Sequence, residues 1–211
     1  MTDAPDLRID SGTGRGVLAV AVLASGVAFL DGTVVNAALP AIAHDLDASL
    51  ADLQWVITAY LLTLGAFLVL GGSLGDHFGR RRILVYGLCG FAATSTLCAI
   101  APTTGVLIGA RALQGVAAAL MVPGSLAIVQ ASFRSEDRGR AIGAWSGLSG
   151  VSIALGPFLG GWLIDAVSWR FVFLINVPIV AVAVLLALRV VPETYDPTAS
   201  AHIDWLGGAV L

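Results

Sequence analysis

Asp31 and Arg111 are the two residues of this chain whose chemistry fits worst with their surroundings. Each lies inside an apolar run long enough to cross a bilayer, and a charge there is costly unless it faces the interior of a helix bundle. Removal from water disfavours an ionised carboxyl group, whereas a neighbouring guanidinium favours it. A buried carboxylate with a movable arginine partner is therefore a device for loading and releasing a proton. The depths of the two residues agree with such a pairing. Asp31 stands eight residues before the end of the first apolar run, and Arg111 seven residues into the fourth. At the rise of an α-helix these positions lie about 12 Å and about 10 Å from the same membrane surface. Gln114 follows Arg111 by three residues and shares its helix face. The alternative for both charged groups is a purely structural buried carboxylate and a purely structural buried arginine.

The elements that must position these residues follow from composition. Of 211 residues, 57% are hydrophobic and 12% charged, and the mean hydropathy is +0.90. A soluble domain of this length has too little interior to hide that much apolar surface, which excludes a soluble enzyme or a disordered chain. The net charge of −3 argues against a nucleic-acid partner. Apolar runs over 17–39, 54–75, 83–101, 104–129, 141–164 and 171–191 each reach the roughly 20 residues that span a hydrocarbon core. Backbone groups in lipid must be satisfied within their own segment, so these runs are expected to be helices. The first run is too long for the apolar part of a cleavable signal and contains Asp31, so it reads as a retained span. Short connections imply an antiparallel bundle in a lipid bilayer. Cys89 and Cys98 lie nine residues apart, on nearly opposite faces of one helix, and read as core-filling thiols. No phosphate loop, zinc motif or nucleophile elbow is present, so no enzyme activity, catalytic residue or metal ligand is expected.

The arginines set the orientation. With the N-terminus inside, Arg8, Arg15, Arg80, Arg81, Arg82, Arg134, Arg138, Arg140 and Arg189 are cytoplasmic, and only Arg170 lies outside. The expected organisation is a cytoplasmic tail over 1–16, with its first dozen residues disordered, and a six-helix domain over 17–191. A cytoplasmic linker over 192–203 and the start of a seventh helix over 204–211 complete it. An internal repeat is also legible. Gly72, Asp76 and Arg81 after the second span recur as Gly161, Asp165 and Arg170 after the fifth, at one offset of 89 residues (72 to 161, 76 to 165, 81 to 170). That offset covers three helices, and an odd number of helices inverts the second copy, as in inverted-repeat transporters. The fold expected is an all-α membrane bundle of two inverted three-helix repeats.

The motifs resemble those of the major facilitator superfamily, and more narrowly its 14-helix drug/proton antiporter branch. The first span carries Leu30-Asp31-Gly32-Thr33-Val34-Val35-Asn36-Ala37-Ala38-Leu39-Pro40. The next loop carries Gly72-Ser73-Leu74-Gly75-Asp76-His77-Phe78-Gly79-Arg80-Arg81-Arg82, with His77 where a basic residue is common. The fourth span has Arg111-x-x-Gln114-Gly115, and the fifth Gly156-Pro157-x-x-Gly160-Gly161, with Ser152 in place of an upstream glycine. The run Ser168-Trp169-Arg170-Phe171-x-Phe173-Leu174-Ile175-Asn176-Val177-Pro178 also looks like this branch. So does Ile203-Asp204-Trp205-Leu206-Gly207-Gly208, as the start of a seventh helix.

The resemblance implies the N-terminal half of a proton-coupled exporter of hydrophobic or cationic small molecules in the cell membrane, working by alternating access. It requires no cofactor, with the proton gradient as energy source, and a C-terminal half of the same transporter as partner. By resemblance, Asp31, Arg111 and Gln114 serve proton coupling and the substrate cavity. Gly72, Asp76, Gly79, Arg80 and Arg81 form a conformational loop motif, and Gly156, Pro157, Gly160 and Gly161 an antiporter motif. Trp55 and Tyr60 are candidates for contact with an aromatic substrate. A proton symporter for nutrient uptake and a truncated, non-transporting fragment are the alternatives.

Overall fold

In the computed structural model, which describes residues 6–195, the chain is a bundle of long helices with no strand among the described residues. The helices are α1 (Gly12–Leu46), α2 (Leu50–Phe78), α3 (Arg80–Ala99), α4 (Thr104–Ser132), α5 (Ser135–Ala166), α6 (Phe171–Leu174) and α7 (Asn176–Val190). Six of the resulting segments, with α6 and α7 counted as one, are long and apolar enough to cross a membrane. The expected linker beyond Tyr195 and the start of a seventh helix lie outside the described residues.

The helices overrun the apolar runs because their polar ends are capped rather than looped. Ser49 and Asp52 form a reciprocal capping box at the start of α2. Asp47 adopts the left-handed conformation at φ 49° to close α1. The turn between these helices is therefore residues 47–49 alone, much tighter than the apolar runs imply. The sixth span departs from a continuous helix, because α6 ends at Leu174 and α7 begins at Asn176. Pro178 is the cause: it lacks the N–H that would bond to the Leu174 carbonyl, and its ring crowds that carbonyl.

The N-terminal segment also differs from expectation. The Leu7 N–H donates to the Ser132 carbonyl (3.0 Å), and the Arg134 N–H to the Leu7 carbonyl (3.3 Å). The Ile9 N–H donates to Asp137 Oδ2 at 3.2 Å. Leu7 and Ile9 rest on the apolar core, and Ser11 caps α1. Residues 7–11 are thus docked on the α4–α5 turn. The alternation of two apolar residues in a polar tail is the signal for it.

The packing has the symmetry of an inverted repeat. Exchanging the triplets swaps α1 with α4 and α2 with α5, and the two most extensive interfaces, α2 with α4 and α1 with α5, change places under that operation. The arginines obey it too. Arg81 donates to the Val191 carbonyl just past the last helix of the second triplet (3.1 Å). Arg170 reaches the Ala101 carbonyl just past the last helix of the first (3.5 Å). Burial follows the same division: 61% of the apolar window of α1 and 56% of that of α4 are buried, against 17% for α2 and 22% for α5. Two apolar clusters result. One lies near the chain start around Val17, Leu88 and Phe133, and the other around Ile42, Leu107 and Trp169.

Candidate functional site

Between those two clusters lies a layer of polar side chains contributed by α1, α2, α3, α4 and α7. Asp31 is 0% exposed and Arg111 1% exposed, and they form an ion pair through Arg111 Nη1 and Asp31 Oδ2. Gln114, one turn along α4, completes a triangle. Its Nε2 donates to Asp31 Oδ1 (3.1 Å), and its Oε1 accepts from Arg111 Nη1 (2.7 Å). Arg111 Nε donates to the Val56 carbonyl (3.1 Å), and its guanidinium carbon stands 4.2 Å above the Tyr60 ring and 5.8 Å from that of Phe173. Tyr60 is held in place by donating to the Ala28 carbonyl at 2.9 Å.

Four members of the cluster were not singled out as part of the site by sequence reasoning. Ser95 accepts from Gln114 Nε2 at 2.7 Å, and the Cys98 thiol leans on Gln114 Oε1 at 3.6 Å. Asn176 Nδ2 donates to Asp31 Oδ1 (2.8 Å) and Ser95 Oγ (3.2 Å). Phe173 walls the guanidinium on one side. The hydroxyl of Ser95 and the amide of Asn176 carry no charge whose burial would flag them. Tyr60 is enclosed beneath Arg111, whereas Trp55 is exposed; Cys89 is exposed as well, so only Cys98 fills the core. The arrangement is chemically specific, since a carboxylate receives donors from an arginine and two amides in a site without bulk water.

The loop motif forms a second centre at the end of α2. Gly79 is the whole turn between α2 and α3, at φ 105°, a conformation that L side chains rarely adopt. A Cβ there would also stand 2.6 Å from Glu193 Oε1. Arg80 pairs with Asp76 (Nη2 to Oδ1, 2.7 Å), as an i,i+4 pair. Arg81 donates its backbone N–H to Glu193 Oε1 (3.0 Å), and its guanidinium stands 3.5 Å from Glu193 Oε2. The Arg80 N–H donates to the Thr194 carbonyl (3.0 Å). Glu193 and Thr194 therefore bind the loop motif, while Gly72 has only ordinary contact with Pro123 (3.6 Å) and Arg82 is exposed.

Gly156 and Gly160 of α5 face α1. A Cβ on Gly156 would overlap the Thr33 hydroxyl, and one on Gly160 would stand 2.9 Å from the Val34 carbonyl. Around Gly161 there is open space, and α5 continues through Pro157 without interruption. Ser152 meets Gly26 of α1, where a Cβ would stand 2.8 Å from its hydroxyl. The serine that stands at 152 in place of a glycine thus lies against a glycine across the interface.

Comparison with known proteins gives one consistent family. The family model of the Major Facilitator Superfamily matches residues 21–206. The chain is 40% identical over 198 residues to a methylenomycin A resistance protein of Bacillus subtilis, covering 93% of this chain and 42% of that protein. It is 42% identical to a tetracenomycin C resistance and export protein of Streptomyces glaucescens, covering 92% and 36% respectively. It is 43% identical to the multidrug efflux pump LfrA of Mycolicibacterium smegmatis, covering 87% and 37%. The chain therefore spans about two-fifths of the length of these relatives. In fold it is similar to the peptide transporter POT (TM-score 0.74, 16% identity, covering 88% of this chain and 39% of that one). A bacterial homologue of the human lysosomal transporter Spinster is also similar (TM-score 0.69, 20% identity, covering 88% and 45%).

Proposed function

The chain belongs to the Major Facilitator Superfamily, and we propose that it is the N-terminal half of a proton-coupled exporter of hydrophobic or cationic small molecules. The observation that carries this reading is the enclosed Asp31–Arg111 pair, which exposes a titratable group only if the helices around it move. Protonation of Asp31 releases Arg111, and the change of charge in a water-poor site biases one arrangement of the bundle over another. The named activities of the relatives, resistance to and export of drugs, supply the cargo class. An apolar groove of about 220 Å³ between α1, α5 and α7, bounded by Leu30 and Leu155 among others, suits hydrophobic cargo.

In this reading the weakly buried faces of α2 and α5, with Leu62, Val69, Phe158 and Trp162 exposed, meet lipid and the second half. The Asp76, Arg80, Arg81 and Glu193 cluster latches one arrangement, and Gly156, Pro157, Gly160 and Gly161 set how closely α5 rides on α1. The membrane is the cell membrane and the N-terminus is cytoplasmic. Single cysteines at Ser135 and at Ala48 are expected to react with an impermeant thiol reagent from opposite sides of the membrane; reaction from one side would overturn the orientation. Reconstituted into liposomes, residues 1–211 alone should leave an imposed proton gradient undisturbed by a lipophilic cation, because one wall of the cavity is lacking. Cation-dependent proton flux through the chain alone would overturn the half-transporter reading.

A further inference from the structure

Asn176 stands in the first turn of α7, directly after the break that Pro178 imposes, and is fully buried. Its Nδ2 donates to Asp31 Oδ1 and Ser95 Oγ, but its carbonyl Oδ1 is buried without a hydrogen-bond partner. A buried acceptor left unmade is costly, and it calls for an explanation where the neighbouring polar atoms are all engaged. The explanation lies in what Asp31 needs when neutral. Arg111 occupies Asp31 Oδ2, so an added proton sits on Oδ1, facing Gln114 and Asn176. Gln114 Oε1 already accepts from Arg111 and Cys98, and Ser95 Oγ already accepts from Gln114 and Asn176. The free acceptor within the cluster is the Asn176 carbonyl.

We propose that Asn176 is a positioning residue that answers the charge of Asp31, donating to the carboxylate and turning its amide over to accept from the neutral acid. The proposal rests on Asp31 taking up a proton during transport. Half a turn about the terminal torsion exchanges Nδ2 and Oδ1, and puts the carbonyl where the amide nitrogen now stands, 2.8 Å from Asp31 Oδ1. Either orientation leaves one amide atom unpartnered, so neither is locked and the carboxyl group decides between them. Only one proton moves: it arrives from the aqueous side, adds to Asp31 Oδ1, and replaces an N–H···O bond by an O–H···O bond to Asn176. The Ser95 hydroxyl is then free to donate to the same carbonyl. Asp31 thereby writes its protonation state onto α7 as well as onto Arg111 of α4. The titratable and charged groups facing Asp31 are Arg111 from α4, the Tyr60 phenol from α2 and the Cys98 thiol from α3. The stretches of α5, α6 and α7 beside it carry none.

The sequence makes the test direct, since Asn36 and Asn176 are its two asparagines. Asn36 is exposed and bonds only to carbonyls of its own helix, so Asn36→Gln leaves a single labelled site. Infrared spectra of this 211-residue chain in lipid, with carbon-13 at the asparagine side-chain carbonyl, are recorded across a pH titration. The Asp31 carboxylic band is assigned by its loss in Asp31→Leu, or by its displacement in Asp31→Glu if the first variant does not fold. The expected result is a downward shift of the labelled amide band, as its oxygen gains a hydrogen bond, with the same midpoint at which the Asp31 band appears. An amide band that stays put or rises while Asp31 titrates marks a fixed donor and overturns the proposal, with the coupling reading intact. Absence of any Asp31 band down to the acid limit of folding overturns the coupling reading and this proposal with it.

Discussion

If the proposed function holds, Asp31→Asn in the complete transporter is expected to abolish efflux driven by a proton gradient while the protein still folds and reaches the membrane. Asparagine keeps the shape of the side chain and one acceptor oxygen, so the donors from Gln114 and Asn176 retain a partner. The buried guanidinium loses its counter-charge, and stranding one member of a buried pair costs about 3–5 kcal/mol when nothing else compensates. Here the Tyr60 ring, the Val56 carbonyl and Gln114 Oε1 remain against Arg111. These contacts keep the guanidinium from being wholly stranded, so stability falls while the fold survives. Transport has no such reserve, because asparagine carries no proton that a gradient can load. Arg111→Ala tests the other side of the pair. If the pair couples protons, removing the partner of Asp31 should alter the pH dependence of substrate binding. A structural pair predicts instead that both variants express poorly, with no change in pH dependence. Efflux by Asp31→Asn at the unaltered rate, with the unaltered pH profile, would refute coupling through this residue.

The pair itself was legible in the sequence because charge in an apolar run is conspicuous and helix rise converts position into depth. Its surroundings were not. Ser95 and Asn176 are neutral, and nothing in a list of residues distinguishes a polar side chain that faces the cluster from one that faces its own helix, as Thr96 does. The break before Asn176 was readable in principle from Pro178, but the apolar run passes through it unbroken, and Pro40, Pro123 and Pro157 sit inside helices that continue. A proline therefore marks a place where a helix can yield, and tertiary contacts decide whether it does. The repeat was visible as three identities. The structure adds that Arg81 and Arg170 perform the same task on opposite ends of the bundle, each closing over the end of a helix from the other triplet. Residues 7–11 were missed because short alternating segments gain their order only from what they dock on.

The glycines of α5 separate packing from flexing, and the second large effect is expected there. Gly156→Ala should lower thermal stability markedly, whereas Gly161→Ala should leave it unchanged or raise it. At 156 the new methyl group would overlap the Thr33 hydroxyl, with Val34 N at 3.1 Å behind it. Thr33 has little freedom to withdraw, because its hydroxyl is tied back to the Leu30 and Phe29 carbonyls at 3.0 and 3.3 Å. The helices must move apart, and forced overpacking of this kind costs about 1–3 kcal/mol. At 161 the methyl group enters open space, and alanine in a helix is favoured over glycine by about 1 kcal/mol. Thermal unfolding in detergent micelles, followed by tryptophan fluorescence, distinguishes the two. Equal losses at both positions would show that the motif acts through backbone freedom and not through contact with α1. The displaced helix is also the one that carries Asp31, two residues before Thr33. Gly156→Ala should therefore weaken the coupling of efflux to the proton gradient along with stability, whereas Gly161→Ala should preserve both. A Gly161→Ala transporter that is stable but inactive would place the bend at Pro157, not the α1–α5 seam, at the centre of the transport cycle.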